Sequence, residues 1–242
     1  MGRANKQPEA GIAGVLVADK AAGFTSMDAV ALIRGKAGGV KTGHAGTLDP
    51  LATGVLVVAL GAATKQLSRF MATDKRYRTV VDLSAFTGTD DREGSREEVE
   101  VAARPSEQDV RTVLDGFVGE IEQRPPAYSA VKVGGRRAYA LSRRGREPDL
   151  SPRTVVVRGI DLVRYDWPLV EIDLRCGKGF YVRSLARDLG RALGTGGHCH
   201  SLRRTAVGPF TESESVRLDD MPEPLEQAHL IALDDALARL EP

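Results

Sequence analysis

Two cysteines and one tryptophan are all that this 242-residue chain holds of those residue types. Two cysteines build no disulfide framework, and their scarcity fits a reducing compartment. No apolar run is long enough to span a bilayer. The polar stretch Met1 to Ala10 lacks the apolar core of a secretory signal and reads as a loose terminus. These absences make a cytoplasmic location and no membrane partner the expectation. An excess of charge is also missing: the net value is +1, so composition does not announce a nucleic-acid binder. What is present is ordinary for a globular protein, 42% hydrophobic and 28% charged. The length allows one large domain or two small ones.

The distribution of charge says more than its sum. Lys132, Arg136, Arg137, Arg143, Arg144 and Arg146 crowd one stretch, and Lys178, Arg183, Arg187, Arg191, Arg203 and Arg204 form another. Acids collect from Asp90 to Glu100 and in the tail from Glu212 to Glu241. Such segregation suits a protein with one phosphate-facing side, and equally suits an unevenly charged solvated surface.

Apolar patterning predicts strands at Val15 to Ala18, Val55 to Leu60, Tyr77 to Phe86, Val131 to Val133, Thr154 to Val163 and Val170 to Cys176. Cys176 closes the alternation Val170, Ile172, Leu174 and reads as a buried strand residue. Ser26 is placed to cap a helix through Val30 and Ile33 that ends near Gly38-Gly39. Ser106 and Asp109 form a capping box for a helix through Val110 and Phe117. Val182, Leu185, Ala186, Leu189 and Leu193 mark an apolar helical face, and a last helical pattern covers Leu225 to Leu240. Strands and helices alternate irregularly and some strands are close enough for hairpins. The expected class is α+β, a mixed, mostly antiparallel sheet with flanking helices. No linker clearly splits residues 11–210, which read as one domain, with 211–242 a short acidic extension.

Two apparent motifs fail on chemistry. Gly35 to Thr42 approaches a phosphate-binding loop, but Val40 stands where a second glycine must let the backbone wrap a phosphate, and a helix precedes it in place of a strand. His198, Cys199 and His200 have the residue types of a metal site, yet on a strand Cys199 faces away from both histidines and no second ligand group exists. No metal is expected.

The segment with the most chemistry is Gly43-His44-Ala45-Gly46-Thr47-Leu48-Asp49-Pro50-Leu51-Ala52-Thr53-Gly54. It holds a histidine and one carboxylate in a glycine-rich loop just before an apolar strand. Glycines permit tight turns and close backbone approach, and Pro50 stiffens the chain after Asp49. A loop of this kind can set the orientation and ionisation of an acid at the edge of a core. On local chemistry alone, the favoured reading of Asp49 is a turn cap, because aspartate before proline is a common turn signal.

This loop resembles the catalytic loop of the TruB family, the bacterial tRNA pseudouridine-55 synthases. The likeness extends to Gly14-Val15-Leu16-Val17-Ala18-Asp19-Lys20 with Gly23 and Thr25-Ser26, and to Asp74-Lys75-Arg76-Tyr77. It continues in Arg124 to Lys132 with Gly135 to Tyr139, in Gly177 to Leu185, and in Leu202-Arg203-Arg204. All of these occur in the family's order, from about Gly14 to Phe210.

The resemblance implies a pseudouridine synthase-like fold and an enzyme that detaches uracil from its ribose, turns it and rejoins it through C5. That chemistry needs no cofactor. It needs one carboxylate, and the resemblance makes it Asp49, as nucleophile or as base. Either role requires an ionised acid, which burial alone opposes and a nearby cation favours. Arg183 carries over as that cation, Tyr77 as the ring stacked on the target base, and Tyr181 as a second wall of the pocket. Lys20 matches a lysine that supports the loop, Leu202 an apolar residue beside the target nucleotide, and His44 a histidine that contacts RNA. Lys132, Arg136 and Arg143 are the candidates for phosphate or 2′-hydroxyl contact. The implied partner is tRNA, through its T-arm stem-loop. No obligatory protein partner is expected, and the lack of a coiled-coil stripe favours a monomer.

The chain departs from the family pattern twice. Ala21 replaces the usual proline after the lysine, and the tail after Phe210 is too short for the RNA-binding domain of the PUA type that many relatives carry. T-loop recognition is therefore expected to rest on the catalytic part. The main alternative is a non-catalytic chaperone that folds tRNA with the same surface; a guide-directed relative within a ribonucleoprotein is the third reading.

Overall fold

The structure, a computed structural model, describes residues 11–129, 132–133, 136–137 and 150–241. The chain divides into two compact units, residues 1–73 with 206–242, and residues 74–205.

The first unit begins with β1 (Gly14–Lys20), helix α1 (Ser26–Lys36), β2 (Thr42–His44), β3 (Thr53–Leu60) and the short α2 (Leu67–Met71). β1 and β3 pair antiparallel along their whole length, Gly14 opposite Leu60 and Lys20 opposite Gly54. β2 extends the ladder on β3. Both strands are apolar at nearly every position because both faces are covered. Leu16, Ala18, Leu56, Val58 and Leu60 pack with Ala29 and Ile33 of α1 and with Ala37, the residue that ends it. Val15, Val17, Val55 and Val57 pack with Phe70, Val207, Phe210 and Ala236. The period of two along a strand thus feeds two separate cores. Helix α1 is capped by Thr25, whose hydroxyl accepts from the Asp28 amide while the Asp28 carboxylate accepts from the Thr25 amide. The expected cap, Ser26, is instead buried and exchanges hydrogen bonds with Leu48 (3.0 and 2.7 Å).

The second unit runs from β4 (Lys75–Asp82) through β5 (Ala85–Thr87), β6 (Arg96–Glu98), α3 (Glu107–Asp115), β7 (Gly119–Gln123), β8 (Lys132–Val133) and β9 (Arg136–Arg137). It continues with β10 (Arg153–Asp166), β11 (Leu169–Cys176), a helix over Val182–Leu193 and β12 (His198–Val207), which crosses the boundary between the units. Its sheet has the order β12-β4-β11-β10-β7. β4, β11, β10 and β7 pair antiparallel in succession. Val170, Ile172, Leu174 and Cys176 are buried, as are Val182, Leu185, Ala186 and Leu189 of the helix and Val110 and Leu114 of α3. Gly190 makes one close packing possible: a Cβ there would lie 2.1 Å from the carbonyl oxygen of Gly196.

The expected strand Tyr77 to Phe86 is broken. The Asp82 carboxylate accepts from the amide and hydroxyl of Ser84, turning the chain so that β5 pairs with β6. β8 and β9 pair antiparallel, Lys132 opposite Arg137 and Val133 opposite Arg136, and Gly134 and Gly135 lie outside the described residues.

The chain then returns to the first unit with β13 (Phe210–Thr211), β14 (Val216–Arg217) and a helix over Leu233–Ala238. β14 joins β1 in a parallel pair. The acidic tail is part of the core: Leu218, Met221 and Leu225 pack on the α1 side. The helix expected over Leu225 to Leu240 is only its last third, after a single 3-10 turn at Gln227–His229. Ile231 is extended between them, because its amide and carbonyl each bond to Val15 (2.9 Å). No described helix is long and apolar enough to cross a membrane.

Candidate active site

Asp49, Lys20 and His44 belong to the first unit, and Tyr77, Tyr181, Arg183 and Leu202 to the second. In the first unit the Asp49 loop is anchored from both sides. Lys20 ends β1 fully buried, and its ammonium donates to the carbonyls of Ala21 (2.9 Å), Phe24 (2.6 Å) and Pro50 (3.4 Å). The Gly23 amide also donates to Pro50 (2.8 Å), and Ala52 donates to the Asp49 carbonyl (3.1 Å). Ser26 holds Leu48 as described above. Gly46 has a φ of 106° and Gly54 of 98°, so left-handed backbone bends the loop at both ends. The outcome is a half-buried Asp49 on a segment whose backbone cannot slide. His44 is half-buried at the end of β2, opposite Val58.

In the second unit Tyr77 stands on β4 opposite Leu174. It alternates with exposed Arg76 and Arg78 and shares its face with buried Lys75 and Thr79, so its ring faces inward. Leu202 is buried on β12. Tyr181 immediately precedes the Val182–Leu193 helix, and Arg183 lies in that helix's first turn. Arg183 is 4% exposed, and its guanidinium donates to the carbonyls of Thr89 (3.0 Å) and Tyr128 (2.9 Å) and lies 3.4 Å from the Asp91 carboxylate. A second ion pair runs alongside, Arg187 to Asp90 at 2.9 Å. Burial pushes the Asp90 carboxyl up, against the lowering influence of Arg187 and Arg183.

These contacts revise the sequence reading of charge. Arg183, Arg187 and Arg204 are buried, so three of the six residues of the second basic group are not phosphate-facing. Asp90 and Asp91, from the stretch where acids collect, are the counter-ions of Arg187 and Arg183 in that group. Thr89, Asp91 and Tyr128 were not among the expected site residues. The available signal was a doubled acid, Asp90-Asp91, in a turn bounded by Gly88 and Gly94, which local patterning cannot distinguish from a solvated loop. The side chains of Lys132 and Arg136 and the whole of Arg143 lie outside the described residues.

His198 and Cys199 are buried, with the His198 Nδ1 2.8 Å from the Ala85 carbonyl and the Cys199 Sγ 3.5 Å from the Thr79 hydroxyl. Among the described residues no three His, Cys, Asp or Glu side chains are grouped to hold a metal ion.

Lys75, beside Tyr77's position on β4, is pushed down to about 8, first by burial and then by Arg204. Below that value the ammonium is charged in both folded and unfolded chains, and its burial opposes folding. The opposition fades as pH rises from about 8 to the ordinary 10.5. Lys75→Met is therefore expected to be more stable than wild type at pH 7 by about 1–2 kcal/mol, allowing for solvent screening. That advantage should shrink by pH 10. Urea unfolding of both proteins at the two values checks it, and an advantage independent of pH would refute it.

The profile of the TruB family pseudouridylate synthases (N terminal domain) matches residues 34–182, and that of the tRNA pseudouridylate synthase B C-terminal domain matches residues 183–241. The class is thus that of an isomerase that makes pseudouridylate. The similarity extends to whole proteins. The chain is 45% identical over 234 residues to a tRNA pseudouridine synthase B from Dinoroseobacter shibae, covering 95% of this chain and 77% of that one. It is 44% identical to the protein of the same name from Corynebacterium efficiens, with 95% and 78% covered. Among solved structures, a Cbf5-Nop10-Gar1 complex gives a TM-score of 0.72 at 29% identity, covering 98% of this chain and 68% of that one. The archaeal box H/ACA sRNP Nop10-Cbf5 complex gives 0.63 at 31%, and there the chain spans 86% of itself but about half, 52%, of its counterpart. The chain belongs to the TruB family of pseudouridylate synthases.

Proposed function

We propose that this enzyme isomerises uridine 55 in the T-loop of tRNA to pseudouridine. The target base is flipped out of the folded loop, at an unstacking cost of a few kcal/mol. Asp49 is the essential carboxylate, acting as nucleophile toward the nucleoside or as base at the ribose. The N1 glycosidic bond breaks, the uracil turns, C5 bonds to C1′, the C5 proton leaves and N1 gains one. Tyr77 stacks on the base and Tyr181 forms another wall, holding the detached ring by stacking worth about 1–3 kcal/mol. Arg183 is the cation that favours the ionised form of Asp49. Lys20 holds the loop, Leu202 packs by the nucleotide, and His44 contacts RNA, with Lys132, Arg136 and Arg143 as candidate backbone contacts.

The observation that carries this reading is the anchored Asp49 loop in a chain of this family. A buried ammonium and a buried serine hydroxyl fix the backbone around one carboxylate. The names of the relatives support tRNA as the substrate. We propose further that the protein acts as a monomer without guide RNA or protein partner.

A T-arm hairpin carrying tritium at C5 of uridine 55 alone tests the whole proposal. Purified protein should release the label with multiple turnovers and leave pseudouridine at that position. A hairpin labelled only at another loop uridine should release little. Equal release from both would overturn the positional assignment, and no release without added RNA or protein would overturn the claim of independent action.

A further inference from the structure

Two side chains outside the expected site converge on Tyr181. Gln123 ends β7 and is 2% exposed. Its carboxamide oxygen accepts from the Tyr181 amide (2.8 Å), and its carboxamide nitrogen donates to the Tyr181 carbonyl (3.1 Å). One primary amide thus holds both backbone groups of a single residue, as a neighbouring strand would. Arg153 begins β10 directly opposite Gln123 in the β7–β10 register, so the two side chains share a face. The Arg153 guanidinium lies 5.0 Å from the centre of the Tyr181 ring and donates to the Gly179 carbonyl (3.0 Å). Gly179 has a φ of 82°, so the turn leading to Tyr181 bends where a side chain would be strained.

Tyr181 needs this support. It occupies the N-cap position of the Val182–Leu193 helix, but its side chain makes no cap hydrogen bond. A tyrosine at a helix start without such a bond has no local device to set its ring. Gln123 sets the backbone, and a planar cation against the ring restricts the side-chain torsions.

We propose that Gln123 and Arg153 are positioning residues for the isomerisation, acting through Tyr181: one fixes its main chain and the other fixes its ring against the uracil. The proposal rests on Tyr181 lining the base pocket. A lysine at position 153 keeps the charge but loses the flat stacking surface and the fork that reaches Gly179. A displaced pocket wall costs rate before it costs affinity, because the detached uracil must be held while it turns.

The test measures single-turnover rate and hairpin affinity for wild type, Arg153→Lys, Tyr181→Leu and the double variant, on the T-arm hairpin. Arg153→Lys should slow the single-turnover step roughly tenfold and leave Kd within about threefold. In the Tyr181→Leu background the same substitution should change the rate by less than about twofold, because the ring it orients is gone. Gln123→Glu, which sets a carboxylate oxygen against the Tyr181 carbonyl, should be at least as slow; if it does not fold, the Arg153 cycle still decides. Equal slowing by Arg153→Lys with and without the ring overturns the proposal while leaving Tyr181 in its role. So does a weakened Kd at unchanged rate, which would mark Arg153 as a phosphate contact. If Tyr181→Leu itself keeps the wild-type rate, the assignment of Tyr181 fails and the positioning role fails with it.

Discussion

Asp49→Asn is expected to fold like the wild type and to form pseudouridine at no more than about a thousandth of its rate. The substitution keeps shape and removes charge, and a neutral carboxamide is neither a nucleophile nor a base of useful strength. The loop should survive because its anchors lie to either side. Lys20 reaches the carbonyls of Ala21, Phe24 and Pro50, Ser26 binds Leu48, and Ala52 donates to the Asp49 carbonyl. None of these bonds uses the carboxyl group of residue 49. A thousandfold loss corresponds to about 4 kcal/mol of transition-state stabilisation. Tritium release from the labelled hairpin reads the activity, and urea unfolding reads the stability. Residual turnover above about one hundredth of wild type, in a protein free of wild-type contamination, would remove Asp49 from its proposed role.

Arg183→Met should have the largest effect on stability. The guanidinium is the donor to two carbonyls and the charge facing Asp91, whose side chain is only 6% exposed. Methionine fills similar volume but leaves a carboxylate buried without this cation. Breaking a buried pair from one side costs about 3–5 kcal/mol, more than the pair itself contributes, because the stranded charge keeps its desolvation penalty. Asp91 retains the Thr89 hydroxyl and the Glu93 amide as donors, which places the expectation at the lower end of that range. Adding Asp91→Asn to Arg183→Met should recover part of the loss, since a neutral amide tolerates burial better. Urea midpoints of the two single variants and the double variant give the coupling. A loss under about 1 kcal/mol in Arg183→Met would show that the Asp91 pair contributes little to the fold.

Several features are legible in the order of the amino acids. The apolar runs of β1 and β3, the Ser106–Asp109 capping box, the apolar stripe of the Val182–Leu193 helix and the buried Cys176 are all local patterns, and each element forms where its period predicts. The Asp49 loop is legible as well, because glycines, a proline and a lone acid before a strand are neighbours in sequence. Other features are settled by partners far along the chain. The cap of α1 passes to Thr25 because Ser26 is drawn to Leu48, 22 residues away. The final helix is cut short because Ile231 pairs its backbone with Val15.

Sequence alone determined the family and the mostly antiparallel α+β class, and it is the source of the proposal that Asp49 is the reactive carboxylate, since periodicity and motif order are written in adjacent residues. Only the tertiary structure decided which charges are buried. Arg183 and Thr89 stand 94 residues apart in the chain, yet lie within one hydrogen bond of each other. An arginine reads the same in a sequence whether water or a carboxylate surrounds it, and which of the two it meets depends on packing between distant segments.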